Sequence, residues 1–360
     1  GCHRDGGIGS FTMQDVEVAQ DYAGAMKQST ATREMPPWMP DPACQNFHDA
    51  RILSDAEIAL FAAWADGGAL AGDPADAPTP VPPPSLGKID IELQASAPYT
   101  PNKGLGEDDY RCLVLDPKQG APLSLVGVNF LPDQANMVHH VVLFAVDRQT
   151  AATKDASEPG LGWTCFGGPG TPGGMNTLGA WVPGSPPLMY PQGTGLTLLA
   201  SEVIVMQMHY NFENLGGADP KPDQTKVQLQ YAAGPVTTAK MIPLIDMGFN
   251  IPPSSMGYTH GTSLTLQKST RLYGMLPHMH KLGRQISLTS SALGCMIDIP
   301  EWDFHWQQFY FYENQQGMTL PAKSKLDLKC TWDNPGGQAV GWGEGTADEM
   351  CVAFIYTTTP

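Results

Sequence analysis

Basic side chains are scarce. The chain has 20 Lys and Arg against 36 Asp and Glu in 360 residues, a formal net charge of −16. That balance argues against a nucleic-acid partner, because phosphate binding needs a basic footprint. Charged residues of both signs reach only 16%, below the roughly one quarter usual in soluble domains. No apolar run approaches the ~20 residues that a membrane helix requires, so no membrane span is expected. The opening Gly1-Cys2-His3-Arg4 lacks the charged-then-apolar pattern of a signal peptide and reads as a truncated or processed start. Seven cysteines are too few for a disulfide scaffold at this length, and none forms a zinc-type CxxC pair. A few structural disulfides in an oxidising compartment are expected, hence a periplasmic or secreted protein.

Glycine and proline are plentiful, at 39 and 33 residues, beside 42% hydrophobic residues. This texture suits many short strands joined by turns. Residues 74–86, PADAPTPVPPPSL, read as an extended Pro-rich linker. Before it, residues 14–30 and 54–66 read as helices. Ser54 and Glu57 have capping-box spacing, Ile58, Leu60, Phe61 and Trp64 supply an apolar face, and Gly67-Gly68 ends the helix. Residues 1–73 are therefore expected to be a small α-helical domain.

After the linker the pattern becomes β. Runs at 89–94, 123–130, 139–146, 202–212, 226–232, 270–276, 286–290, 325–332 and 350–356 are β-branched or aromatic and bounded by turn residues. Two sandwiches or jelly rolls are expected, over 87–235 and 236–360, with the boundary placed at the Gly234-Pro235 turn signal.

The histidines carry the chemical information. His278 and His280 form an HxH pair, and residues two apart on a strand share a face, so both can address one ion. His139 and His140 are adjacent and converge only at a bulge or strand end. His209 lies in VMQMHYNF and Met350 in DEMCVAFIY. Imidazole suits copper, zinc, iron or nickel, and a thioether partner shifts the choice toward copper. Against this stands the plain alternative that a lone histidine or methionine on a strand is a packing residue.

The ordered set HHxxLF, MHY, HxHxLG and DEMC resembles the type II copper monooxygenases, which include peptidylglycine α-hydroxylating and dopamine β-type enzymes. The resemblance spans residues 87–360. It implies two coppers per chain, the first held by His139, His140 and His209. The second, catalytic copper would be held by His278, His280 and Met350. It further implies two jelly rolls with an open cleft between them, disulfides Cys112–Cys165 and Cys330–Cys351, and no assigned partner for Cys44 or Cys295. The implied activity is hydroxylation of a C–H bond in a small organic substrate with O2. The reductant would be ascorbate or a redox protein. The chain departs from the peptide-amidating members at Leu276, Val352 and Phe354, where those enzymes carry Arg, Asn and Tyr. None of the three can pair with a carboxylate, which favours an apolar or aromatic substrate.

At the other end, Cys2-His3 resembles the tail of a CxxCH haem-attachment motif, and residues 1–73 resemble small c-type cytochrome domains through CHRDGG, MPPWMPD and LSDAEIALFAAWADGGA. That implies a c-type haem on Cys2 and His3 with Met35 as distal ligand and Met39 as runner-up, and with it a haem-delivered reductant. Alternatives from other classes are a non-catalytic copper-binding or electron-transfer protein on the same scaffold, and a β-sandwich binding module without copper.

Overall fold

The computed structural model describes residues 1–360 apart from Gly1, Asp5, Gly6, Ile8, Pro78, Pro80, Val81, Pro83, Gly173, Gly174 and Pro360. The described residues are mainly β, with 39% strand and 13% helix in several sheets. The chain divides into two compact units. Residues 1–39 and 49–84 form one, and residues 40–48 and 85–360 form the other.

The first unit holds α1 (Val16–Asp21), α2 (Ala23–Ala31) and α3 (Asp55–Asp66). The helix expected over 14–30 is broken at Tyr22, whose ring stacks on Phe11 at 3.9 Å and whose backbone leaves the helical region. The Ser54–Glu57 capping box is formed in both directions and fixes the start of α3. Ile58, Phe61 and Trp64 lie on its half-buried side, while Leu60 is exposed. The 3.6-residue period rotates position 60 away from that face. The linker expected over 74–86 falls partly on Pro78, Pro80, Val81 and Pro83, outside the described residues. Its first residues, Pro74–Asp76, form a 3-10 turn instead of an extended segment, because the Asp73 carboxylate accepts the Ala75 N–H.

The second unit is built from strands. In chain order they are β1 (Ile91–Gln94), β2 (Asp108–Leu115), β3 (Leu123–Leu131), β4 (Val138–Asp147), β5 (Trp163–Thr164), β6 (Thr177–Trp181) and β7 (Leu188–Met189). There follow β8 (Thr194–Leu198), β9 (Glu202–Asn211), β10 (Lys226–Tyr231), β11 (Thr237–Ile245), β12 (Asn250–Ile251), β13 (Ser255–Thr265) and β14 (Thr270–His278). The last are β15 (Gly283–Ser290), β16 (Gly294–Ile299), β17 (Tyr310–Phe311), β18 (Met318–Leu320), β19 (Lys325–Asn334), β20 (Val340–Gly341) and β21 (Val352–Thr358). A short helix, α4 (Arg148–Asp155), follows β4.

One sheet runs β5-β2-β9-β4-β6, a second β13-β19-β15-β16, and a long third runs β1-β10-β3-β8-β11-β21-β14-β17. The third sheet is continuous across the expected 235/236 boundary through the parallel β8–β11 pairing. Leu143, Ile204, Met206 and Met208 of the first sheet pack with Leu125, Val128, Leu196 and Leu229 of the third in one buried cluster. Alternation sets the chemistry of β9. Met206, Met208 and Tyr210 enter that core, so Gln207, His209 and Asn211 point to the other face.

Three disulfides brace this unit: Cys112–Cys165, Cys330–Cys351 and Cys44–Cys295. The first two are the pairs the family resemblance implies. The third ties Pro40–His48 to β16, beside the Asp41 N–H donated to Asp298 O and the packing of Phe47 on Tyr310 and Tyr312. No helix among the described residues is long and apolar enough to cross a membrane.

Candidate metal centres

His209 sits on the central strand of its sheet, opposite Tyr110 of β2 on one side and His140 of β4 on the other. The β4–β9 register slips between Val138 and His140, a bulge that turns two consecutive side chains toward one point. His139, His140 and His209 therefore converge. Their Nδ1 atoms form a triangle with edges of 3.3, 3.2 and 3.2 Å. The corners of such a triangle lie about 1.9 Å from its centre, close to the ~2.0 Å of a metal–imidazole bond, so the three nitrogens would suit one ion. Ligands at that bond length in tetrahedral array are about 3.3 Å apart, which these edges match.

Protonation favours the same role. His209 Nε2 donates to Asp108 Oδ1 at 2.9 Å, which leaves the Nδ1 lone pair for an ion. Burial, then the neighbouring His209, pulls His139 down to about 3, and burial holds His140 well below the usual range. Burial also lowers His209, against the opposing pull of Asp108. Neutral imidazoles are the form that binds a metal. Burial alone would raise the Asp108 carboxyl. Hydrogen bonds from His209, Asn211 and Thr346 outweigh it and keep the group well below the ordinary carboxylate range. Tyr110 stacks on the His209 ring at 4.1 Å and 10°.

The second set lies at the end of β14. His278 and His280 have ring centroids 5.1 Å apart. Gln307 Oε1 accepts from His278 Nδ1 at 2.5 Å, and Asp348 O accepts from His280 Nδ1 at 3.0 Å. Both rings thus keep Nε2 for an ion. Burial and the proximity of His280 pull His278 down to about 3, and burial takes His280 to about 4. His278 pairs with Val352, the last pair of the β14–β21 ladder, and Met350 lies two residues before Val352 in the chain. Two imidazoles with a thioether form a donor set suited to copper, Cu(I) above all.

Glu349 fixes this corner from below. It is fully buried and accepts from the backbone of His280, Leu282 and Met350 and from the Trp332 indole. Burial pushes its carboxyl up to about 7 against the pull of those four donors.

The two sets adjoin. The His140 and His278 rings are 6.4 Å apart, and Phe304 stacks on His139 at 5.0 Å while lying 6.0 Å from His280. The open cleft expected between the halves is therefore corrected. Aromatic packing and cross-hydrogen bonds close it. Sequence reasoning passed over Asp108, Tyr110, Phe304, Gln307, Thr346 and Glu349.

In the first unit, His3 Nδ1 lies 3.1 Å from Phe11 O, with its ring against Phe11. Cys2 is not in a disulfide. Met35 is half-buried in the segment after α2, and Met39 is buried.

Residues 238–358 match the family model described as copper type II ascorbate-dependent monooxygenase, C-terminal domain. That segment contains His278, His280 and Met350, and the match supports a copper monooxygenase family. It gives no support to a haem or a cytochrome domain. No curated protein matches the chain. Similar solved structures include the cowpea mosaic virus top component, at 8% identity over 81% of this chain and 97% of that chain, with a TM-score of 0.29. The infectious bursal disease virus VP2 subviral particle matches at 11% identity over 79% and 76%, with a TM-score of 0.19. Broad bean stain virus matches at 8% over 81% and 94%, with a TM-score of 0.26. Likenesses at these TM-scores carry no argument.

Proposed function

We propose that the second unit is a copper-dependent monooxygenase that hydroxylates a C–H bond of a small apolar or aromatic substrate. The carrying observation is the convergence of three imidazole Nδ1 atoms at 3.2–3.3 Å beside a second imidazole pair. His139, His140 and His209 would hold one copper, and His278, His280 and Met350 the other. Copper in these sites supplies O2 activation and the electron needed to complete C–H hydroxylation.

The chain's own residues orient and desolvate. Asp108, Gln307 and the Asp348 carbonyl fix the faces of His209, His278 and His280. Leu276 and Phe354 are register partners, as are His278 and Val352, and two-residue spacing puts all four on one face of the long sheet. That apolar wall beside His278 supports an uncharged substrate. The halves are read as jelly rolls over 87–235 and 236–360, and three disulfides suit a periplasmic or secreted setting. Ascorbate or a redox protein is the proposed reductant. A haem on Cys2 and His3, with Met35, is a further proposed donor. The His3 Nδ1 contact to Phe11 O, which leaves Nε2 for iron, is the observation in its favour.

The test is metal analysis together with substrate-dependent O2 uptake under reductant. Two coppers per chain and coupled uptake are expected, with turnover lost and the fold retained in Met350→Ile. Copper binding without substrate-coupled uptake would favour the non-catalytic electron-transfer protein. A pyridine haemochrome spectrum without a band would remove the haem.

A further inference from the structure

The segment between β20 and β21, residues 342–351, touches both candidate centres. Toward the second, Asp348 O accepts from His280 Nδ1, the Glu349 carboxylate accepts from the His280 and Leu282 amides, and Met350 follows directly. Toward the first, Thr346 Oγ1 donates to Asp108 Oδ1 at 3.0 Å and its N–H to Asp108 Oδ2 at 3.2 Å. Two residues earlier, Glu344 O accepts from the hydroxyl of Tyr110, the ring stacked on His209. Gly167 supports the same approach. Its φ is +62°, a conformation that favours glycine, and a Cβ there would lie 2.0 Å from Glu344 Oε1, so a larger residue would push the Glu344 side chain aside.

Asp108 is the link. One carboxylate accepts from His209 Nε2, Asn211 and Thr346 together. Thr346 is 8% exposed and Asp108 side-chain exposure is 15%, so these bonds work in a largely dry setting. Anything that orders residues 342–351 at the Met350 end also seats Thr346 on the carboxylate that aims His209.

We propose that Thr346 is a positioning residue for the first centre, and that through it metal occupancy at the second centre tightens metal binding at the first. The inference rests on the copper assignment above. Linkage makes the coupling reciprocal: each site strengthens the other by the same factor. Losing the outer-shell partner of a metal ligand, here Asp108, weakens affinity ~10–100-fold, and Thr346 acts one bond further out, so a coupling at the low end, about tenfold, is expected.

The experiment is Cu(I) titration of the full chain against a chromophoric chelator. It uses the wild type and His278→Ala, each with and without Thr346→Val, together with Thr346→Ser. In the Thr346 background the first site should bind about tenfold more tightly when the second site is intact than in His278→Ala. With Thr346→Val the affinity should be weak and indifferent to His278, and Thr346→Ser should restore both affinity and coupling. Equal first-site affinity in wild type and His278→Ala overturns the coupling, as does a Thr346→Val chain that retains it. Absence of Cu(I) binding at both sites instead overturns the copper assignment and this inference with it. Thermal melts that coincide for Thr346→Val and Thr346→Ser separate positioning from a general loss of structure.

Discussion

The metal-free protein should lose stability steeply between pH 7.5 and pH 5. Burial and mutual proximity depress His139 and His278 to about 3 and His280 to about 4. In the unfolded chain an imidazole titrates near 6.5. Below that value the unfolded state binds protons that the folded state refuses, so stability present at neutral pH is lost as pH falls. At pH 5 the loss is about 2 kcal/mol for each of the three, or about 6 kcal/mol together. Glu349 has the opposite sign. Its folded value of about 7 lies above the 4.5 of a free carboxyl, so it contributes stability below neutrality. From pH 7.5 to 5 it returns about 2 kcal/mol. The histidines win by about 4 kcal/mol, and His140 and His209, also depressed, add to the loss. Urea unfolding of chelator-treated protein at several pH values measures this. Glu349→Gln should steepen the fall by removing the opposing group. Stability that is flat or rises from pH 7.5 to 5 would refute buried neutral imidazoles as the state of the empty sites.

Two further outcomes are expected. Replacing both Cys330 and Cys351 by Ser opens a link of sequence separation 21, at a cost of about 3 kcal/mol. Because Cys351 follows Met350, copper should leave the second site at lower urea than global unfolding, as followed by retained copper and far-UV circular dichroism. Gln307→Leu deprives His278 Nδ1 of its partner and should weaken copper at the second site ~10–100-fold, as read by chelator competition.

The histidine positions were legible because strand alternation is a strict geometric rule. The 278/280 spacing suggests a shared face, and the adjacency of 139 and 140 requires a bulge or a strand end, of which the β4–β9 register shows the bulge. Asp108 escaped notice because its partner lies about a hundred residues away. Its signal was a carboxylate two positions before Tyr110 and four before Cys112, along the same strand face. Phe304, Gln307 and Thr346 act from irregular segments between strands, where no period marks which side chain turns inward. The closed arrangement of the two halves depends on such segments, whereas the open cleft was only what the family resemblance implied. Cys44 and Cys295, separated by 251 positions, had no spacing rule to join them.

That last bond changes the covalent topology of the chain. Residues 45–294 are a closed ring, and α3 with everything to Pro84 is carried on it as a loop. A single proteolytic nick anywhere in that ring opens it without releasing a fragment, so an intact mass on a non-reducing gel would conceal the cut. For anyone producing the second unit alone, a start at Ser85 leaves Cys295 as a lone thiol, prone to disulfide exchange or intermolecular pairing. An expressible version therefore either keeps Pro40–His48 on its own tether or replaces Cys295 by Ser.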